Sequence, residues 1–373
     1  MEYLKKILKI FLFMIYALFF DIGAKIGVVE NRVGLVSMHN AHFADSLGEV
    51  EKEFAKRNSF GGENWKTIKI DRIALSSKLG AIKFVTVDAL RLGRSRFIFL
   101  NDNFMPLAYV HPNARTKVVQ LWHGAGAFKK FGLAIPQPND IRRREIAANS
   151  RLSYVVCSSD SVKQIYAEAF GVGTSKVLTF GSPNTDFYFN EAEKARVREE
   201  FFTHYPALRD KYIILYAPTF REDKSDILSH IDFRRLVDDK TAVLVRLHPQ
   251  VNNSELVKGG GIDVTNYENV NDLCLVSNML ITDYSSICMD FALQDKPMVF
   301  YAYDLEDYKG ARDFYFDYVK YVPGPVARTQ EVLEHAIAIT KASHNIGSFA
   351  NFNFGHPNGT ATKQLIEFLV KEN

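Results

Sequence analysis

Two histidines stand where a chain that only had to turn would not place them. His123 follows the apolar run of "KVVQLWHG", and His248 follows that of "AVLVRLHPQ". An imidazole titrates near neutral pH, so each can move a proton or, once charged, donate to a phosphate. A lone histidine at a strand end is more often structural. Two of them, one in each half of the chain, point to a shared cleft. Three further polar segments follow apolar runs in the same way: Gly181-Ser182-Pro183, Pro218-Thr219-Phe220-Arg221 and Thr282-Asp283-Tyr284-Ser285-Ser286. Open parallel sheets bind ligands beyond the carboxyl ends of their strands, so these exits are where chemistry belongs.

The second half supplies a phosphate-binding set. Ser285 and Ser286 open a helix, whose free N–H groups and dipole attract anions, although the same pair also reads as an ordinary N-cap. Thr219 adds a hydroxyl and Arg221 a guanidinium, and Arg246 stands beside His248. Asp290, one helical turn past Ser286, could reach ribose hydroxyls. Neither a P-loop signature nor a GxGxxG fingerprint is present, which removes the usual support for kinases and dehydrogenases. His39, His42, His111 and His356 are weaker candidates, and no HExxH or equivalent cluster marks a metal site.

These exits need a scaffold, and the chain has the grammar of one. Short apolar runs alternate with helix-compatible segments from "RVGLVSMHN" through "WKTIKI", "KFVTVDAL", "SRFIFLND" and "LSYVVCSSD". After the charged stretch "NEAEKARVREEFFTHYP" the alternation restarts at "KYIILYAPTFRED" and runs through "ITDYSSICMDFALQDKPMVFYAYD". Continuous apolar strands between helices predict an α/β fold with parallel sheets covered on both faces. The 373 residues suit two doubly wound domains facing one another across a cleft. We expect an N-terminal helix over 1–24, one domain over 25–185, a second over 186–350, and a C-terminal helix within 351–373. That last helix takes Thr360 as N-cap and can pack back on the first domain.

At the N-terminus, Lys5, Lys6 and Lys9 precede an unbroken apolar run from Ile10 to Phe20. As a helix that run rises about 16 Å, short of a hydrocarbon core of about 30 Å. No small-residue cleavage site follows Phe20. The expectation is a helix lying in the membrane interface, its lysines near anionic headgroups, with a first core helix as the alternative. Lys and Arg total 46 against 43 Asp and Glu, a net charge of +3, which argues against nucleic-acid binding. The three cysteines, Cys157, Cys274 and Cys288, have no CxxC spacing and read as buried thiols in a reducing compartment.

The segments "QLWHGAGAFKKFG", "YAPTFRED", "RLHP", "ITDYSSICMDFALQDKPMVFYAYDLEDY" and "DFYFDYVKYVPGP", in that order, resemble the CDP-glycerol glycerophosphotransferase family. Its members are bacterial teichoic-acid and capsule glycerol- or ribitol-phosphate transferases. The resemblance implies a GT-B architecture of two Rossmann-like domains, the N-terminal one for the acceptor and the C-terminal one for the CDP donor. It implies work at the cytoplasmic face of the membrane on an undecaprenyl-diphosphate-linked saccharide. His123 would be the general base for the acceptor hydroxyl and His248 a donor to the pyrophosphate or departing CMP. Gly181, Thr219, Arg221, Arg246, Asp283, Ser285 and Ser286 would serve the CDP-glycerol or CDP-ribitol donor, and Asp290 its ribose. Gly124 would leave room for a large acceptor. Lys129 and Lys130 would meet its diphosphate or the membrane, or stand as a solvated pair. Many family members carry a basic residue after the Gly-x-Pro turn; here Asn184 stands there.

The implied reaction is attack of the acceptor hydroxyl on the β-phosphorus with CMP leaving. Arginine and a helix N-terminus can provide the phosphate donors, so no metal or other cofactor is expected. The lack of a large extra N-terminal domain leans towards a primase or short-chain enzyme. The competing readings are a GT-B nucleotide-sugar glycosyltransferase and a non-catalytic membrane-bound scaffold, the latter disfavoured by the intact histidines.

Overall fold

The structure is a computed structural model. It describes all residues except 1, 39–42, 44, 73–75, 220–227, 248–258, 312 and 373, and only the backbone of 2–7 and 309–311. Among the described residues the strands form two six-stranded sheets, parallel throughout. The first contains β1 Val29–Val36, β2 Lys66–Ile70, β3 Ser95–Leu100, β4 Lys117–Gln120, β5 Tyr154–Val156 and β6 Val177–Leu178, in the order β2-β1-β3-β4-β5-β6. The second contains β7 Tyr212–Tyr216, β8 Thr241–Val245, β9 Ile262–Asp263, β10 Met279–Thr282, β11 Met298–Tyr301 and β12 Val326–Ala327, in the order β12-β11-β10-β7-β8-β9. The continuous apolar strands are buried on both faces, as β8, β10 and β11 show along their whole length.

The chain divides into two compact units. One comprises Met1–Ala125, Phe131–Asp186 and Pro357–Asn373; the other comprises Gly126–Lys130 and Phe187–His356. In the first unit, alternate residues Val33, Leu35, Phe97, Phe99 and Val119 face one core, covered by Leu47, Val50 and Phe54 and by Leu365, Ile366 and Leu369 of the C-terminal helix. In the second, Ile214, Val243, Val245, Ile281 and Val299 pack with Leu333 and Ile337 of the Gln330–Ala342 helix.

The stretch "KFVTVDAL", placed above among the apolar runs expected to form strands, is helical. Lys78–Lys83 passes through a π-turn at Phe84–Asp88 into a helix at Ala89–Gly93. Phe84, Ala89 and Leu92 recur at helical spacing and are buried, and the Phe84 ring lies 4.9 Å from that of Tyr16. Burial overrides the β preference of Val85, Thr86 and Val87.

Tyr16 belongs to the N-terminal helix Glu2–Ile26, which buries Tyr16, Ala17, Phe20 and Ala24. Its approach to the Ala89–Gly93 helix is so close that a Cβ on Gly93 would fall 2.0 Å from the Phe20 carbonyl oxygen. The same helix leaves apolar side chains exposed at Leu8, Phe11, Leu12, Met14, Leu18, Ile22 and Ile26. Among the described residues no helix is long and apolar enough to cross a membrane.

The C-terminal stretch divides in two. Helix Gly347–Phe354 lies in the second unit, whereas Ala361–Lys371 lies in the first. Thr360 occupies the N-cap position without a side-chain capping bond. The cap comes instead from Asp186, whose carboxylate accepts from Ala361 N at 3.0 Å and Thr362 N at 2.8 Å.

Candidate functional site

In the first sheet, β2 lies on one side of β1 and β3 to β6 on the other. The order reverses between β1 and β3, the switch point at which open α/β sheets leave a crevice. The exits of those two strands are tied together. Asp102 Oδ2, just past β3, accepts from Ser37 Oγ at 3.0 Å and from Met38 N at 3.1 Å, just past β1. His123 comes from the exit of the next strand, β4. Its side chain is half exposed, and its Nδ1 lies 3.3 Å from the Asn101 carbonyl oxygen and 3.4 Å from Asp102 Oδ1.

Gln120, the last residue of β4, links these groups. Its Nε2 donates to Asp102 O at 3.0 Å and its Oε1 accepts from Trp122 N at 2.9 Å. Trp122 sits in the left-handed region at φ 58, which costs a non-glycine residue about 1–2 kcal/mol. Its ring lies 4.2 Å from the His123 ring, 5.1 Å from Phe131 and 5.4 Å from Phe170. Backbone strain beside a polar strand exit is the kind kept where geometry matters for function.

Gly124 O accepts from Tyr166 Oη at 2.6 Å. Gly126 has φ 68, and a Cβ there would fall 2.6 Å from Asn353 Oδ1 and 3.0 Å from Met289 Sδ. Packing inside the second unit requires glycine at this position. Lys129 Nζ lies 5.4 Å from the Tyr308 ring centre, and Lys130 is ion-paired with Asp313. Both contacts lie within the second unit.

The second sheet has its switch point between β7 and β10. Thr282 Oγ1 donates to Ala217 O at 2.7 Å, and the buried Asp283 accepts from Thr219 N at 2.7 Å through Oδ1. Asp283 thus clamps two strand exits together, its Oδ1 accepting from the backbone N–H groups of Thr219 and Tyr284. The clamp brings Thr219, Ser285 and Ser286 to the carboxyl edge of neighbouring strands. Ser286 begins the short Ile287–Ala292 helix without a side-chain cap, Ser285 Oγ accepts from Ile287 N at 3.4 Å, and Asp290 is half buried in that helix.

Arg246, also expected at the donor, points its guanidinium at the Tyr267 carbonyl oxygen, and burial pushes its pKa down. Gly181 belongs to the first unit and turns at φ 98 against Ala361, with Cβ space of only 3.1 Å to that methyl. Among the lysines of the N-terminal helix, Lys9 is exposed, its Nζ 5.7 Å from the Phe13 ring centre. His248 and Arg221, with His39 and His42, lie outside the described residues, as do the side chains of Lys5 and Lys6. Cys157, Cys274 and Cys288 are buried and free, and burial pushes the Cys157 and Cys274 thiols up to about 12. Sequence reasoning passed over Ser37, Asp102, Gln120 and Trp122. For Asp102 the signal was there: "FIFLND" is an apolar run ending in polar residues.

Comparison with known proteins agrees with this architecture. A family model described as CDP-glycerol:poly(glycerophosphate) glycerophosphotransferase matches residues 18–371. The teichoic acid poly(ribitol-phosphate) polymerase of Bacillus spizizenii is 33% identical over 94% of this chain, which spans 58% of that protein's length. The teichoic acid ribitol-phosphate primase of the same organism is 31% identical, over 74% of this chain and 75% of its own. A histidine-to-asparagine variant of the wall teichoic acid polymerase TagF superposes with a TM-score of 0.80 at 22% identity, covering 100% of this chain and 96% of that one. It shares the α/β fold with two parallel sheets. The chain belongs to the CDP-glycerol:poly(glycerophosphate) glycerophosphotransferase family.

Proposed function

We propose that the protein transfers glycerol phosphate or ribitol phosphate from a CDP-polyol to a hydroxyl of an undecaprenyl-diphosphate-linked acceptor, releasing CMP. Family membership supports the reaction class. The observation that carries the reading is His123, half exposed at the carboxyl edge of the first sheet, beside its switch point. Its imidazole takes the proton of the acceptor hydroxyl as the oxygen attacks the β-phosphorus. The bond to the departing CMP breaks with its electron pair on the CMP phosphate. Thr219, Ser285 and Ser286 serve the donor phosphates, with Asp290 at the ribose, Arg221 as a further phosphate donor and His248 at the leaving group.

We place the work at the cytoplasmic membrane surface. The exposed apolar side chains of the Glu2–Ile26 helix, with Lys9 and Lys25 on the same helix, support that reading. Tyr16 and Phe20 are core residues of the first unit, so deleting the helix would also unfold. Phe11→Glu and Leu18→Glu, at exposed positions, are the cleaner test. They should reduce co-sedimentation with anionic vesicles while leaving the melting temperature unchanged, and unchanged sedimentation would count against the interfacial helix.

Mass spectrometry of products made from each CDP-polyol with a lipid-linked disaccharide tests donor, acceptor and number of additions together. UDP-sugars in parallel test the glycosyltransferase alternative. His123→Ala should lower turnover by about 10²–10⁴-fold, and full activity in that variant would remove the base.

A further inference from the structure

A carboxylate with only 6% of its side chain exposed, that of Asp102, lies beside His123. We propose that Asp102 is a positioning residue that holds the His123 ring with its proton on Nδ1, leaving Nε2 to accept the proton of the attacking hydroxyl. The catalytic consequence rests on the proposed role of His123 as base.

Nδ1 of His123 faces two oxygens, Asn101 O at 3.3 Å and Asp102 Oδ1 at 3.4 Å. Neither oxygen can donate while the carboxylate is ionised, so the nitrogen between them carries the hydrogen and the lone pair falls on Nε2. The carboxylate is itself held. Its other oxygen accepts from Ser37 Oγ and Met38 N, across the switch point between β1 and β3, and only 6% of its side chain is exposed. The ring also packs against Trp122, 4.2 Å away between centroids and tilted 35° to it. Gln120 bonds both Asp102 O and Trp122 N, so two neighbours of the imidazole are braced by one amide.

The arrangement gives the carboxylate two tasks. Before the reaction it selects the tautomer and limits ring rotation. During the reaction the acceptor's O–H bond breaks as its oxygen bonds to phosphorus, the proton passes to Nε2, and the imidazolium that results faces a fixed negative charge. Asp102 remains ionised throughout, and His123 returns its proton to solvent after CMP has gone. An amide in place of the carboxylate would turn a donor towards Nδ1 and favour the unproductive tautomer.

The test has a spectroscopic and a kinetic arm, using the full chain. In ¹⁵N-histidine-labelled protein, the resonances lost in His123→Ala identify that ring. Wild type should show the Nδ1–H tautomer, and Asp102→Asn should move the proton towards Nε2. A wild-type Nε2–H ring, or a tautomer unaffected by Asp102→Asn, overturns the proposal whatever the enzyme's substrate. In CMP-release assays with CDP-glycerol and CDP-ribitol, Asp102→Asn should lower kcat by about 10²–10³-fold with KM for the donor little changed. Asp102→Glu should recover part of the loss. Asp102→Asn added to His123→Ala should cost nothing more, because a residue acting only through the ring has no effect once the ring is gone. Undiminished kcat in Asp102→Asn, or losses that add in the double variant, overturn the proposal. Full activity in His123→Ala would instead overturn the base assignment, and the tautomer measurement distinguishes the two failures. If Asp102→Asn does not fold, Ser37→Ala frees one carboxylate contact and should lower kcat alone; unchanged kcat there overturns the proposal as well.

Discussion

Replacing Gly93 by alanine sets two effects of opposite sign against each other. In a helix, alanine is favoured over glycine by about 1 kcal/mol, so propensity alone makes the variant more stable. In the folded protein the new methyl would meet Phe20 O at 2.0 Å, Phe20 C at 2.9 Å and Ala24 N at 3.1 Å. All three are backbone atoms of the Glu2–Ile26 helix, so no rotamer change relieves the clash. The helix must retreat by about 1 Å, which forfeits a quarter to a half of the dispersion contact across the gap. Tyr16 and Phe20 are 0% and 1% exposed at this interface, and burying each contributes about 1.5–3 kcal/mol. Losing that fraction of both, and adding overpacking of about 1–3 kcal/mol, exceeds the propensity gain. The net expectation is destabilisation by about 1–5 kcal/mol, or a melting temperature lower by about 2–20 °C. Thermal and urea unfolding followed by circular dichroism measure it. A variant as stable as the parent, or more stable, would refute the close helix crossing and with it the docking of the N-terminal helix on the first unit. Gly23→Ala probes the same crossing from the other side, since its Cβ would fall 2.2 Å from Leu90 O.

Gly126→Ala combines a left-handed backbone with a methyl against Asn353 and Met289, and should destabilise the second unit by about 2–4 kcal/mol in urea titrations. Asp186→Ala removes the cap of the Ala361–Lys371 helix, and should cost about 0.5–2 kcal/mol, with faster amide exchange in that helix. Burial, reinforced by Glu193, Glu200 and Glu268 and opposed by Arg196, raises the Asp272 carboxyl to about 6. The unfolded chain therefore releases this proton first, so the group's contribution is full below the unfolded value and is lost as pH rises through about 6. Asp272→Asn should gain on wild type by about 1 kcal/mol between pH 4 and pH 7, the full linkage being discounted for a half-exposed group. A pH-independent difference between the two proteins would show that Asp272 titrates normally.

The sequence alone settled the fold class, two parallel sheets, the exits at which His123 and the Thr282–Ser286 segment stand, and the family. Those features are local. A continuous apolar run is a buried parallel strand wherever it pairs, and the residue after it is at the sheet's edge. What tertiary structure decided depends on partners distant in the chain. "KFVTVDAL" became helix because Tyr16 and Phe20 offered it a surface to bury against, which outweighs β-branched propensity. Asp186 found its role 175 residues away, at the amide of Ala361. Asp102 reached His123 because β3 and β4 are neighbours, and Ser37 because β1 and β3 are. No spacing in the sequence encodes that adjacency, since strand order in a parallel sheet is set by which crossovers bury the most surface, and only the assembled sheet brings their exits within hydrogen-bonding distance.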